Sequence, residues 1–435
     1  VSVGTGPEHP VVVDPGSSHF LALPEGVTPV GAPKGSGGVT YPEGFVGGGA
    51  AAGIKESGRL DVGVITVVPQ HRAACTGAAV FTHNSFAAAP VQVSRKECAL
   101  AKLAAVAMNS GNANACTGPD GLVVARAMQA ATADALGLGP ERVGIASTGI
   151  IGVPLERGAL DRGVRAAVAT LAREGGAAFA ESIMTTDRFP KALALDISTR
   201  DGVVHLGACA KGAGMIAPGM ATMLCVITTD ALLSPTVASS LLAREVGHTF
   251  NRITVDGQMS TNDCVFLLAS GASAVTLSAE SVNQFGTALR YALLRLALMM
   301  VADGEGATKV MRLLVKGAPD DEDADVVARA VADSTLVKTA MYGRDPNWGR
   351  ILSAAGAALP SRTFPGVTLE IGGVQLVDRA AAVSLSTEER FRLRSVMESS
   401  EVDMTLDLRT GVGASEVFFA DLGHEYVTIN AEYHT

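Results

Sequence analysis

The strongest local constraint on the fold is Gly372-Gly373, set between the apolar-rich runs Val367-Thr-Leu-Glu-Ile371 and Val374-Gln-Leu-Val377. Two glycines between two strand-like runs predict a tight hairpin, because both turn positions need positive φ. Antiparallel pairing is therefore built into the chain, and a purely parallel, doubly wound sheet is excluded as the whole answer. Elsewhere, strand and helix signals alternate. Val62-Gly-Val-Ile-Thr-Val-Val68, Ala78–Phe81, Leu103–Met108, Val143–Ala146, Leu224–Thr228, Cys264–Ala269 and Lys309–Val315 are short apolar runs of strand length. Between them, Val124, Met128, Ala131 and Ala135 recur at helical spacing, as do Leu160, Val164, Val168 and Leu171, and the longer stripe Phe285, Leu289, Leu293, Leu296 and Met300. The expected class is α/β with a mixed sheet.

At 435 residues the chain can bury one large core or two smaller ones. Residues 1–40 are rich in Pro and Gly without sustained periodicity, and read as a mobile extension or tag remnant. Gly47-Gly-Gly-Ala-Ala-Ala-Gly53 reads as a turn, since no strand signal precedes it and no Gly-Lys-Ser/Thr follows. The acidic run Asp320–Asp325 suits an exposed helix start, where negative charge is favourable.

The balance of 34 basic and 43 acidic residues gives a net charge of −9, which offers no attraction to nucleic acid or an anionic membrane. Partners are expected to be small molecules or further copies of the chain. Cys75, Cys98, Cys116, Cys209, Cys225 and Cys264 contain no Cys-x-x-Cys pair and read as buried thiols in a reducing compartment. No run of 18 or more apolar residues and no signal-peptide layout is seen, so a cytoplasmic protein is expected. The eight histidines form no pair with metal-ligand spacing, and no Gly-x-Ser-x-Gly elbow occurs, which gives no support to a zinc site or a serine hydrolase.

Lys211-Gly-Ala-Gly-Met-Ile-Ala-Pro-Gly-Met-Ala-Thr222 ends a glycine-rich turn on a threonine that precedes an apolar run. A threonine there suits a strand start on β-propensity alone. If the Ala221–Thr222 bond were broken, however, the new α-amine, with a pKa of about 8, could take the proton of its own hydroxyl and make one residue both base and nucleophile.

This run resembles the self-cleavage segment of the ornithine acetyltransferase family, the bifunctional glutamate N-acetyltransferases. So, in order, do Asn109-Ser-Gly-Asn-Ala-Asn-Ala-Cys-Thr-Gly118, Ala146-Ser-Thr-Gly-Ile-Ile-Gly152, Ile183-Met-Thr-Thr-Asp187, Asp303-Gly-Glu-Gly306, Asp345-Pro-Asn-Trp-Gly-Arg350 and Asn430-Ala-Glu-Tyr-His-Thr435. The resemblance runs from near Gly44 to the last residue. It implies an α/β sandwich whose core both halves of the chain share. It also implies an α chain of residues 41–221 and a β chain of 222–435 produced by cleavage between Ala221 and Thr222, assembled as a heterotetramer of two α and two β chains.

The implied reaction is transfer of acetyl from N2-acetylornithine to glutamate through an acetyl ester on Thr222, with Thr148 and Gly149 as the oxyanion hole. The implied substrate contacts are Thr185, Thr186, Lys211, Thr222, Glu305, Asn430 and Thr435, without metal or cofactor. Acetyl-CoA stays open as a second donor. Relatives commonly end in a pair of small hydroxyl residues; here His434 replaces one, and Thr435 keeps the other. Three other readings are weighed: a related self-processing acyltransferase of secondary metabolism, an aminopeptidase of similar architecture, and an uncleaved amino-acid-binding protein.

Overall fold

The computed structural model describes residues 18–31, 38–217 and 223–432. In chain order the strands are β1 (Val27–Val30), β2 (Phe45–Ala50), β3 (Val62–Val67), β4 (Thr76–Phe81), β5 (Ala105–Asn109), β6 (Val143–Ser147), β7 (Lys191–Thr199), β8 (Gly202–Lys211), β9 (Leu224–Thr229), β10 (Ile253–Thr254), β11 (Cys264–Ala269), β12 (Val310–Ala318), β13 (Thr368–Ile371), β14 (Val374–Asp378), β15 (Ala381–Ala382), β16 (Glu401–Asp407) and β17 (Gly413–Ala420). The helices are α1 (Ala89–Glu97), α2 (Gly118–Leu136), α3 (Arg157–Ala169), α4 (Gly176–Ser182), α5 (Pro235–His248), α6 (Ala279–Ala302), α7 (Asp321–Ala332), α8 (Thr335–Tyr342), α9 (Trp348–Ala358), α10 (Thr387–Glu398) and α11 (His424–Glu432). The described residues form two compact units, a larger one within 22–251 and 259–297 and a smaller one of 18–21, 252–258 and 298–432.

The larger unit holds two mixed sheets, one ordered β1-β7-β8-β9-β11-β4 and one ordered β2-β3-β5-β6. Period-two alternation explains how they stack. Ile65, Val67, Val106, Met108 and Ala146 on one face of the four-stranded sheet join Cys209, Leu224, Val226, Phe266 and Leu268 of the six-stranded sheet in one core. Val62, Val64, Ala105, Ala107, Val143 and Ile145, on the opposite face, pack on Val93 of α1, Met128 of α2 and Leu160 and Val164 of α3. Both sheets are thus covered on the faces that meet, which is why their strands are almost continuously apolar.

Strands from both sides of position 222 lie next to one another in the six-stranded sheet. β8 pairs antiparallel with β9, with Lys211 opposite Leu224, and β11 lies between β9 and β4. The mixed α/β class is therefore as expected, and in this unit the two halves of the chain do share a core.

Two expectations need correction. Gly47–Ala50 is not a turn but the end of β2, and its glycines are demanded by packing. A β-carbon at Gly48 would lie 2.4 Å from the Ala167 carbonyl oxygen, and one at Gly49 would lie 2.6 Å from that of Ala178, so α3 and α4 press directly on the strand. Nor is the segment before residue 40 wholly an extension: Val27–Val30 is β1, antiparallel to β7 at the sheet edge, where Pro29 is tolerated.

The smaller unit contains a seven-stranded sheet ordered β10-β17-β12-β16-β13-β14-β15. Its hairpin β13–β14 is the one expected, with φ of +56° and +70° at Gly372 and Gly373. Leu313, Val315, Leu369, Val402, Met404 and Leu406 pack with Val327 and Val331 of α7. The acidic run does start a helix: Asp320 caps α7, its side chain accepting from Asp323 N at 2.8 Å.

All six cysteines are free, and Cys75, Cys209, Cys225 and Cys264 are buried, but Cys98 is only half-buried and Cys116 is exposed, in a loop at φ +56°. The expectation of six buried thiols fails at Cys98, which closes the end of α1, and at Cys116, in the loop before α2. α6 is long and apolar enough to cross a membrane by length and composition alone, yet 67 % of its most apolar stretch is buried, as in a core helix.

Candidate active site

The loop after β5, Asn109–Gly118, forms a frame for the turn after β6. Thr148 N donates to the Asn109 carbonyl at 3.0 Å, and the Ser147 hydroxyl donates to Asn109 Oδ1 at 2.5 Å. Asn262 Nδ2 ties both loops together, donating to the carbonyls of Ala113 at 2.7 Å and Ser147 at 2.8 Å. Gly149 has φ +131°, and a β-carbon on it would lie 2.3 Å from the Gly111 carbonyl carbon. No other residue fits there, for reasons of both conformation and space.

This frame holds Thr148 against the end of β8. Lys211 Nζ donates to Thr148 Oγ1 at 3.0 Å, and both side chains are buried. Since an ammonium only donates, the hydroxyl must accept, and its own hydrogen is left to point elsewhere. A hydroxyl oriented in this way can donate its hydrogen to a further oxygen.

Asp187 organises the other side. Oδ1 accepts from Lys191 Nζ at 2.6 Å and from Gly212 N at 2.7 Å, and Oδ2 accepts from Thr185 N at 2.9 Å. Burial pushes this carboxyl up, but the charges of Lys191 and Lys211 and the hydrogen bonds together outweigh burial and hold it well below the usual carboxylate range. Thr185 and Thr186 are half-buried, and neither hydroxyl has a hydrogen-bond partner among the described residues.

Asp263, at the foot of β11, accepts from Met223 N at 2.9 Å through Oδ1, while Oδ2 is buried with no hydrogen-bond partner among the described residues. Burial pushes this carboxyl well above its ordinary range, the reverse of Asp187. Two carboxyls shifted in opposite directions thus hold the two ends of the segment between β8 and β9, Asp187 at Gly212 N and Asp263 at Met223 N.

Thr148, Gly149, Thr185 and Lys211 are therefore brought together in the larger unit. Glu305 and Asn430 belong to the smaller unit and contact one another: Asn430 Nδ2 donates to Glu305 Oε2 at 2.7 Å. α11 can approach the Asp303–Gly306 turn because Gly306, at φ +70°, lacks a side chain; a β-carbon would lie 2.6 Å from Tyr426 N. Ala221, Thr222 and Thr435 lie outside the described residues. Trp348 opens α9 in the smaller unit and is 37 % exposed. Among the described residues no group of His, Cys, Asp and Glu side chains is arranged to hold a metal ion.

Sequence reasoning gave no role to Asp187, Lys191, Asn262 or Asp263. Asp187 stood inside a recognised motif. The signal for the last two was the polar run Ser260-Thr-Asn-Asp263 directly before a wholly apolar strand, where all four side chains are buried.

Comparison with known proteins places the chain in a family. The arginine biosynthesis bifunctional protein ArgJ of Symbiobacterium thermophilum is 43% identical over 406 residues, 92% of this chain and 99% of that one. The protein of the same name from Nitratidesulfovibrio vulgaris is 43% identical over 393 residues, 90% of this chain and 98% of that one. Among solved structures, ornithine acetyltransferase complexed with ornithine, from Mycobacterium tuberculosis, is 38% identical and covers 46% of this chain and 100% of its own, with a TM-score of 0.40. The ArgJ family profile matches residues 47–435, nearly the whole chain, and the chain belongs to that family.

Proposed function

We infer that the protein is an acyltransferase of arginine biosynthesis that moves acetyl from N2-acetylornithine to glutamate. The full-length relationship to ArgJ proteins at 43% identity supports the reaction. The single structural observation that carries the mechanism is the buried Lys211–Thr148 hydrogen bond.

In this reading the chain cleaves between Ala221 and Thr222 into an α chain, 41–221, and a β chain, 222–435, which pair as a heterotetramer of two each. The freed α-amine of Thr222 takes the proton of its hydroxyl, and the oxygen attacks the acetyl carbonyl. Thr148 donates to the resulting oxyanion, with Gly149 letting the turn lie flat against it, a contribution of about 3–4 kcal/mol for one well-placed donor. Collapse releases ornithine, whose amine leaves with the proton held by the Thr222 amine, and the acetyl stays on Thr222 as an ester. Glutamate's amine then attacks the ester, Thr222 recovers its hydroxyl proton, and N-acetylglutamate departs. By the family resemblance, Thr185, Thr186, Lys211, Glu305, Asn430 and Thr435 are the substrate contacts, and the Glu305 carboxylate suits the cationic end of ornithine. No cofactor is required; acetyl-CoA is a candidate second donor, and the cytoplasm is the expected location.

The test is acetyl transfer to glutamate assayed separately with N-acetylornithine and with acetyl-CoA, beside denaturing electrophoresis. Thr222→Ala is expected to run as one full-length band and to lose transfer, while the native chain gives two fragments. Normal turnover by Thr222→Ala would refute the mechanism.

A further inference from the structure

Lys55 lies in the loop between β2 and β3, and that loop is firmly built. Buried Asp61 accepts from Ala52 N at 2.6 Å through Oδ1, and from Ile54 N at 2.7 Å and Lys55 N at 3.1 Å through Oδ2. Three backbone amides thus occupy the Asp61 carboxylate, and the Lys55 ammonium turns to the Leu60 carbonyl, to which Nζ donates at 2.7 Å. An ammonium has three donors. Among the described residues it has no carboxylate at ion-pair distance, although it is half-buried.

Its position relates it to the candidate site. A β-carbon on Gly111 would lie 3.0 Å from Lys55 Cγ, and a β-carbon on Gly149 would lie 2.3 Å from the Gly111 carbonyl carbon. The aliphatic stem of Lys55, Gly111 and Gly149 are therefore packed in succession. Burial lowers the Lys55 amine to about 8, helped by Arg59 and opposed by Asp61, Asp187 and Glu181. A half-desolvated cation beside such a turn, with Asp61, Asp187 and Glu181 acting on it only from beyond ion-pair distance, is stabilised further by an anionic ligand.

The two substrates of the proposed transfer differ at one end. Ornithine carries a side-chain ammonium, which gains nothing from a lysine, whereas glutamate carries a second carboxylate. We propose that Lys55 binds the side-chain carboxylate of the acceptor glutamate and so sets acceptor specificity in the second half of the reaction. The inference rests on the acetyl-transfer reading above.

Lys55→Met removes the charge and keeps the stem; Lys55→Gln also keeps a donor for Leu60 and serves if the first variant melts early. The two half-reactions are measured apart: ornithine release from N-acetylornithine in a single turnover without glutamate, and the KM for glutamate at saturating donor. The expected result is a release rate within twofold of the native protein, a glutamate KM raised at least tenfold with kcat little changed, and partial recovery in Lys55→Arg. An unchanged glutamate KM, or an equal loss in both half-reactions, overturns the assignment. Failure of the native protein to transfer acetyl at all would instead remove the functional reading beneath it.

Discussion

Lys211 and Thr148 are joined by a buried hydrogen bond in which the ammonium donates and the hydroxyl accepts, at 3.0 Å across 63 residues of chain. The lysine thereby fixes the direction of a hydrogen it does not own. Thr148 can therefore donate in a direction set by Lys211, the last residue of β8.

Replacing Thr148 separates this role from packing. Thr148→Val keeps the shape and removes the hydroxyl, and is expected to lower kcat by roughly a hundredfold or more, the usual cost of one oxyanion donor. Thr148→Ser keeps the hydroxyl and is expected to stay within about tenfold of the native rate. Steady-state kinetics beside thermal melts reads both; equal activity in the Val and native proteins would take Thr148 out of the reaction.

Asp187 gives the protein an acid-sensitive joint. Its carboxyl is depressed on folding, so the stability it contributes is present above the ordinary value of 3.8 and is lost as pH falls through that range toward the lower folded value. Asp187→Asn leaves the fully buried Lys191 without its anion and is expected to cost about 3–5 kcal/mol near neutral pH. The gap between native and variant should narrow as denaturant titrations move from pH 6 toward pH 3. A gap of constant size would show that the ion pair is not its source.

The contact of Asn430 with Glu305 is open to a charge test. Asn430→Asp sets one carboxylate against another and is expected to loosen α11 from the Asp303–Gly306 turn, seen as faster amide exchange or proteolysis at the carboxyl end. The KM for N-acetylornithine should rise at the same time. Unchanged protection of α11 would mean that the amide does not hold the helix.

The strands were readable because β3, β5, β6, β9 and β11 are buried throughout, so each appears as a bounded apolar run. The β13–β14 turn was equally plain, its two glycines having no other local use. β2 and β1 were misread for the opposite reason: their glycines and proline answer to neighbours remote in sequence, such as the carbonyls of α3 and α4, and not to local turn geometry. The site divides in the same way. Thr148, Gly149 and Lys211 could be picked out by motif, but the Asp187 clamp on Gly212 and the buried carboxyl of Asp263 arise only when β7, β8 and β11 are assembled. No spacing in the chain encodes them.

The pairing of β8 with β9 has a consequence for the life of the molecule. Residues on either side of position 222 meet Thr148, Asp187 and Asp263 only once the six-stranded sheet has formed. On the cleavage proposed above, a chain that misfolds would not bring these groups together, and the break would record that folding succeeded. Such a break would strand neither piece, because β8 and β9 pair across it. On that proposal, catalytic competence would be licensed by the finished fold and issued one molecule at a time.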